Sequence, residues 1–481
     1  MGEMNKMEKR YGLVTAICMV VGIVIGSGGF FKAQAILQTT GGDLKTGVLA
    51  WVIGGLIMLA CILAFAIMAT MYEKVNGVVD YAEALVGEKY AYIIGWFTAV
   101  IYFPSMTGVL AWVTARYTLV FLTSVNPNIA LTEGGPVTGS ECMILAMLFL
   151  CGAYFVNALS PKMAGKFQVA TTFAKLIPLL LMMVVGVAYG LITGQLTENF
   201  NPDTLAAAAN TGSTGGNALF AAIVSTAFAY EGWIIATSIN SELKDSKRNL
   251  PIALVSGGLV IMAVYIFYFI GVAGGATTQQ LMEEGATSAF LNIFGNVFGN
   301  ILNLFIAVSC AGTLNGLMLA TTRGLYSLAV RGKGPKPEVF SVVDSSTKMA
   351  SNSSIFGLLF AAIWMVHFYG SNLAPHNWFG IFGFDSSELP IVTTYLLYLP
   401  IFFMFMKKHK DLGFAKSVLI PGLALIGGAF MVFAALYSHG IKPYLAAQAN
   451  GTFACPVLFY MILFAIVIFI GIMVDEGRKK E

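Results

Sequence analysis

The chain has 481 residues, of which 57% are hydrophobic and 11% charged, with a formal net charge of +3. Soluble proteins carry about 25% charged residues. The composition therefore excludes a soluble globular protein and points to a polytopic membrane protein whose first partner is the lipid bilayer. No basic, aromatic-rich patch suggests nucleic acid.

Residues 1–10 are polar and are expected to form a cytoplasmic N-terminus. The first apolar run, about 11–37, is too long for a signal peptide and lacks a small-residue cleavage site, so it is expected to be retained. Further runs follow near 47–71, 91–123, 142–159, 167–193, 217–240, 252–274, 289–330, 354–370, 378–406, 415–437 and 454–474, making twelve. The third and eighth exceed one crossing of ~30 Å and must tilt, bend or extend into loops. Pro104 in the third and the Gly312/Gly316 region in the eighth are the expected places.

Basic residues alternate between loops. Lys6, Lys9 and Arg10 precede the first run, and Lys74, Lys89, Lys162, Lys166, Lys244, Lys247 and Arg248 follow even-numbered runs. So do Arg331, Lys333, Lys336, Lys348, Lys407, Lys408, Lys410 and Lys416, and Arg478, Lys479 and Lys480 end the chain. The other side carries few: Lys32 near the outer end of the first run, Lys45 and Lys442. The asymmetry places both termini in the cytoplasm. A missed span would invert every later loop, so the alternation also supports twelve.

The first run is interrupted at its centre by Ile25-Gly26-Ser27-Gly28-Gly29-Phe30. Glycine costs about 1 kcal/mol against alanine inside a helix, but it frees the backbone and admits close contacts. Such a stretch is either a small-residue packing face or a break lining a cavity. The sixth run carries Phe228-Ala229-Tyr230-Glu231-Gly232-Trp233 at its middle. Two interrupted spans, five apart and hence opposite in orientation, are the pattern of inverted repeats whose broken helices meet at the midplane. The expected repeats are about 11–193 and 217–406, forming a transport core over 11–406. Residues 415–474 then supply two peripheral helices, and 475–481 a cytoplasmic tail.

At the first break, the upper half-helix begins at Ser27, Gly28 and Gly29 with unpaired N–H groups that favour a carboxylate. The lower half ends in unpaired carbonyls near residues 23–25, Ile25 included, which favour an ammonium. The sixth run adds carbonyls around Ala227–Ala229. One group of each sign held by backbone describes a zwitterionic α-amino acid. Lys175, inside the fifth run, costs at least ~3 kcal/mol at membrane depth and should face the interior. It reads as a fixed positive charge against the first break, where a coupling cation would otherwise bind, or as a lysine snorkelling to an interface. Glu231 either takes a proton or draws an ammonium, or else caps the second half-helix.

Arg116 is expected to be interfacial or internally paired. His367 and His376 are expected to be solvated beside an outer loop, with His409 and His439 in polar loops. The six cysteines lie in or beside apolar runs without metal-ligand spacing and read as small core residues. No cofactor, metal cluster or catalytic constellation is expected, and no obligate protein partner is evident.

Four segments together resemble the amino acid–polyamine–organocation superfamily. They are Gly26-Ser27-Gly28, Phe228 to Trp233, Glu242-Leu243-Lys244-Asp245-Ser246-Lys247-Arg248-Asn249-Leu250-Pro251, and Ser309 to Gly334 with Leu314-Asn315-Gly316 and Thr322-Arg323. Lys175 further resembles the substitute for sodium in the L-amino-acid-transporter-like branch. The resemblance implies an all-α membrane protein of the LeuT type: twelve helices, a 5+5 inverted repeat, and breaks in helices 1 and 6. It implies a backbone site for amino acid carboxylate and amine, with Phe228 closing over the substrate. Tyr102 and Ser105 beside Pro104, and Asn315, are further pocket candidates. Three departures stand out. Gly29 replaces an aliphatic residue, which could enlarge the pocket or add hinge freedom. Met71-Tyr72-Glu73-Lys74-Val75-Asn76-Gly77 lacks Pro-x-x-Gly-Gly. Asn352-Ser353-Ser354 lacks a proline.

The expected function is sodium-independent transport of a neutral L-amino acid by exchange or proton-coupled symport. An amine or polyamine permease using Glu231, or a membrane sensor that binds an amino acid without moving it, are the alternatives. A membrane enzyme fits least.

Overall fold

The computed structural model describes residues 12–72, 77–159, 161–201, 216–234, 243–345 and 349–478, and the regular elements among them are helices. The first span is two helices, α1 (Leu13–Val24) and α2 (Ser27–Thr39), separated by extended backbone at Ile25 and Gly26. The second is α3 (Leu44–Met71), started by an Asp43 cap, and a short α4 (Val78–Leu85) follows. The next spans are α5 (Glu88–Val125), α6 (Ser140–Leu159) and α7 (Ala170–Thr193). The second half of the chain holds α8 (Gly216–Ala229), α9 (Ser246–Gly275), a short α10 (Thr278–Glu284) and α11 (Ala286–Thr322). It ends with α12 (Ser351–Asn372), α13 (Leu389–Lys408), α14 (Ala415–Ala449) and α15 (Pro456–Arg478).

Among the described residues, 11 helices are long and apolar enough to cross a bilayer. The expected twelfth is α8, which is too short because the chain leaves helical geometry after Ala229 and turns through Gly232 at φ 104°. The count of twelve thus fits a sixth span that is broken. Its second half, 235–242, lies outside the described residues, as do 73–76 in the loop that departs from the family pattern.

The long third and eighth spans bend as their lengths require, but only one bends where expected. Pro104 has no N–H for the carbonyl four residues back. A π turn at Thr98–Tyr102 absorbs the defect, and the indole of Trp364 on α12 donates to the freed Val100 carbonyl at 3.0 Å. In α11 the bend is at Gly295, with φ 72°, rather than at Gly312/Gly316. Gly312 serves packing instead: a Cβ there would stand 2.2 Å from the Thr171 hydroxyl of α7.

Two groups of helices share the core. The broken spans pack with α3 and α9, whereas α5 packs with α6, α11 and α12, and α7 packs with α11. The first span is 81% buried and the last only 11%, so α15 lies at the periphery. We call the end of the bundle that carries the basic loops inner and the other end outer.

Candidate substrate site

The two breaks meet backbone to backbone. A Cβ placed on Gly28 would stand 2.5 Å from the Ala229 Cα, so only glycine allows this approach. Ile25, Ser27, Gly28, Gly29 and Ala229 are all buried here. Gly26 faces Thr313 of α11, again at a distance no side chain could share.

The orphan carbonyls of α1 have identifiable partners. Lys175, 0% exposed, donates to the Gly22 carbonyl. It does not snorkel to an interface: it closes the last turn of α1 against α7. The Tyr265 hydroxyl of α9 donates to the Val24 carbonyl at 3.0 Å, while the N–H groups of Gly26 and Gly29 point at its oxygen. This tyrosine therefore joins the two sides of the break. Its ring also explains Gly29, because a Cβ on Gly29 would stand 2.6 Å from the Tyr265 ring. The missing side chain makes room for α9.

Tyr102 and Glu231 come together. The π turn that relieves Pro104 presents Tyr102, whose hydroxyl donates to Glu231 Oε1 at 2.7 Å. The Glu231 carboxylate also accepts the Gly232 N–H while facing α5. Ser105 is buried and turns its hydroxyl back to the Tyr102 carbonyl at 3.0 Å. Asn315 departs from expectation. Its amide donates to the Ala164 carbonyl at 3.1 Å and its Oδ1 accepts from Asn157 at 3.0 Å, so α11 uses it to hold the fourth and fifth spans.

Aromatic rings cover the outer side. Phe228, 8% exposed, meets Phe31 edge-on at 5.8 Å, and Phe31 meets Trp112 at 5.5 Å. Arg116 is internally paired: it donates to Gln34 Oε1 at 2.7 Å, and Gln34 donates to the Met282 and Glu283 carbonyls at the end of α10.

Sequence reasoning missed a buried ionic group beside this cover. Lys32, placed near the outer end of its span by its charge, is 3% exposed and pairs with Glu388 at 2.6 Å. Its Nζ also lies 5.1 Å from the Phe228 ring centroid. His439 was expected in a polar loop; it lies in α14 with Nε2 3.0 Å from Glu388 Oε2. An acid inside the apolar run 378–406 was the available signal. His367 also differs from expectation: it stacks on Phe379 and meets Phe384 in a tilted contact, with centroids at 4.9 and 4.3 Å.

Comparisons with known proteins give the family. The family model described as "Amino acid permease" matches residues 11–469. The serine/threonine exchanger SteT of Bacillus subtilis is 29% identical over 89% of this chain and 91% of its own length. The human b(0,+)-type amino acid transporter 1 is 24% identical over 92% of this chain and 85% of its own. Among solved structures, MhsT in complex with L-phenylalanine superposes with a TM-score of 0.59 at 13% identity, covering 90% of this chain and 99% of that one. The likeness to MhsT supports the LeuT fold. The chain therefore belongs to the amino acid permease family and is a membrane-spanning amino acid transporter.

Proposed function

We propose that the protein is a sodium-independent carrier that moves neutral L-amino acids by alternating access, with both termini cytoplasmic and residues 11–406 as its transport core. The observation that carries this reading is the meeting of the two breaks at Gly28 and Ala229, with Lys175 on the Gly22 carbonyl. The N–H groups of Ser27 and Gly28 would take the substrate carboxylate. Ile25 and the carbonyls at the end of α8 would take the ammonium, and Phe228 would close from the outer side. A lysine ammonium supplies a fixed charge at the end of α1, so a sodium ion is not required there. SteT is by name an exchanger, which supports exchange over proton-coupled symport.

The test is counterflow in proteoliposomes against a panel of amino acids, with and without sodium and a pH gradient. Counterflow of small neutral amino acids, unchanged by sodium, is the expected result. Strict dependence on sodium would overturn the reading. Glu231, a carboxylate at the break, favours a second reading as an amine or polyamine permease. Putrescine competing better than alanine or leucine would establish that instead.

A further inference from the structure

Glu388 stands at the start of α13, and its two oxygens face different parts of the bundle. Oε1 accepts from Lys32 Nζ of α2 at 2.6 Å and from the Ser225 hydroxyl of α8 at 2.7 Å. Oε2 faces His439 Nε2 of α14 at 3.0 Å. Lys32 also reaches the Ser387 hydroxyl at 3.4 Å. The oxygen on one side is thus held by the two broken spans, which pack together, and the other by α14, which packs mainly on α13 and α3 and also touches α8. Any outward opening that carries α2 and α8 away from α13 must break the contacts to Oε1 and can leave the contact to His439 intact.

We infer that Lys32, Glu388 and His439 form a proton-binding site that latches the outer gate. The inference rests on the transport reading for the existence of an outer gate. Glu388 attracts a proton on His439 whether the gate is open or shut. Lys32 repels it only when the gate is shut and its ammonium shares the carboxylate. A proton on His439 therefore favours the state in which Lys32 has left, and acid on the outer side drives the carrier toward outward opening. The neighbours of His439 do not blur this assignment. Charged groups acting on it are Glu388 and Asp385 before α13 and Lys32 of α2. Helix α8 adds Ser225, and Phe220 in tilted contact with Tyr437 of the same turn. Helix α15 adds Val457, and Tyr460, whose hydroxyl is engaged with Thr393. Only the Lys32 charge changes its distance when the broken spans move.

Two measurements test the inference. Hydrogen exchange across α2 and α8 in nanodiscs, compared between wild type and His439→Gln at each pH, reports opening without any flux. Acidification from about pH 7.5 to about pH 5.5 should raise exchange in the wild type beyond the intrinsic change seen in His439→Gln. Lys32→Met should be open at both values. In proteoliposomes, the KM for external substrate should fall about threefold or more over the same external range, and stay flat in His439→Gln. Identical pH profiles for wild type and His439→Gln would overturn the inference, as would a closed Lys32→Met. Should a variant not fold, the wild-type exchange corrected for the intrinsic amide rates at each pH still decides, since an opening of α2 that does not change with pH also overturns the inference. Absent flux with an intact exchange response would instead overturn the transport reading and leave the latch standing.

Discussion

Gly28 and Ala229 lie so close that a single methyl on Gly28 would reach to 2.5 Å of the Ala229 Cα. Neither backbone can yield without moving a whole half-helix. Overpacking of this kind costs about 1–3 kcal/mol. Gly28→Ala is expected to insert and purify as a monodisperse protein, to unfold at a lower temperature, and to lose about 5- to 150-fold in exchange rate if the whole cost falls on the closed state. Wild-type exchange in this variant would show that the two breaks separate during transport without needing this contact.

Gly29 behaves differently, because the obstacle is the Tyr265 ring rather than backbone. Gly29→Val is expected to reduce maximal uptake while leaving the rank order of substrates unchanged, since the added side chain points into the contact with α9. Uptake across a size series of amino acids measures this. A profile shifted toward small substrates would return Gly29 to the pocket wall.

The relation between Gly29 and Tyr265 also shows what a linear reading can reach. Hydropathy, alternating basic loops and two glycine interruptions are one-dimensional signals, and they were enough for the LeuT-type fold and the pairing of spans one and six, with a count of twelve that is compatible with 11 spanning helices and the short α8 among the described residues. Lys175 was legible for the same reason, because an ammonium in the middle of an apolar run has few resting places. Tyr265 carried no such mark; it is one aromatic among many until α9 is seen to cross the break. Lys32 was visible as a charge but not as a buried one, since its partner Glu388 lies 356 residues away. Asn315 shows the opposite case: its motif position suggested the pocket, and its side chain is hydrogen-bonded to Asn157 and the Ala164 carbonyl.

Lys175 holds the Gly22 carbonyl at full burial. Lys175→Met keeps the length and packing of the side chain and removes its donors. Leaving a buried acceptor without a partner costs about 1–3 kcal/mol. The variant is expected to reach the membrane and lose transport by about 5- to 150-fold when that cost falls on the state that carries substrate. Counterflow normalised to protein in the liposome is the measurement. Retained wild-type flux would leave the charge with a folding role only.

Tyr102 donates to Glu231 across the break at 2.7 Å. In Tyr102→Phe the carboxylate keeps its Gly232 N–H but loses the hydroxyl from α5. A hydrogen bond to a charged group contributes about 1.5–3 kcal/mol, so KM is expected to rise roughly tenfold or more, provided that bond is made in the substrate-bound state. Saturation curves for the variant and wild type, taken at equal protein density, decide it. An unchanged KM with a lower melting temperature would place the bond in the helix cap and not in substrate binding.

Trp364 offers a control away from the site. Its indole donates to the Val100 carbonyl that Pro104 leaves without a helical partner. Trp364→Phe keeps an aromatic ring in α12 but strips the donor, and the carbonyl then faces apolar surroundings inside the bundle. The expected loss is about 1–3 kcal/mol of stability, seen as a lower melting temperature in detergent. Substrate preference should not change, because Trp364 reaches the site only through the bend of α5. A change of preference would mean that the bend itself sets the position of Tyr102, and that relief of the proline defect is part of substrate recognition.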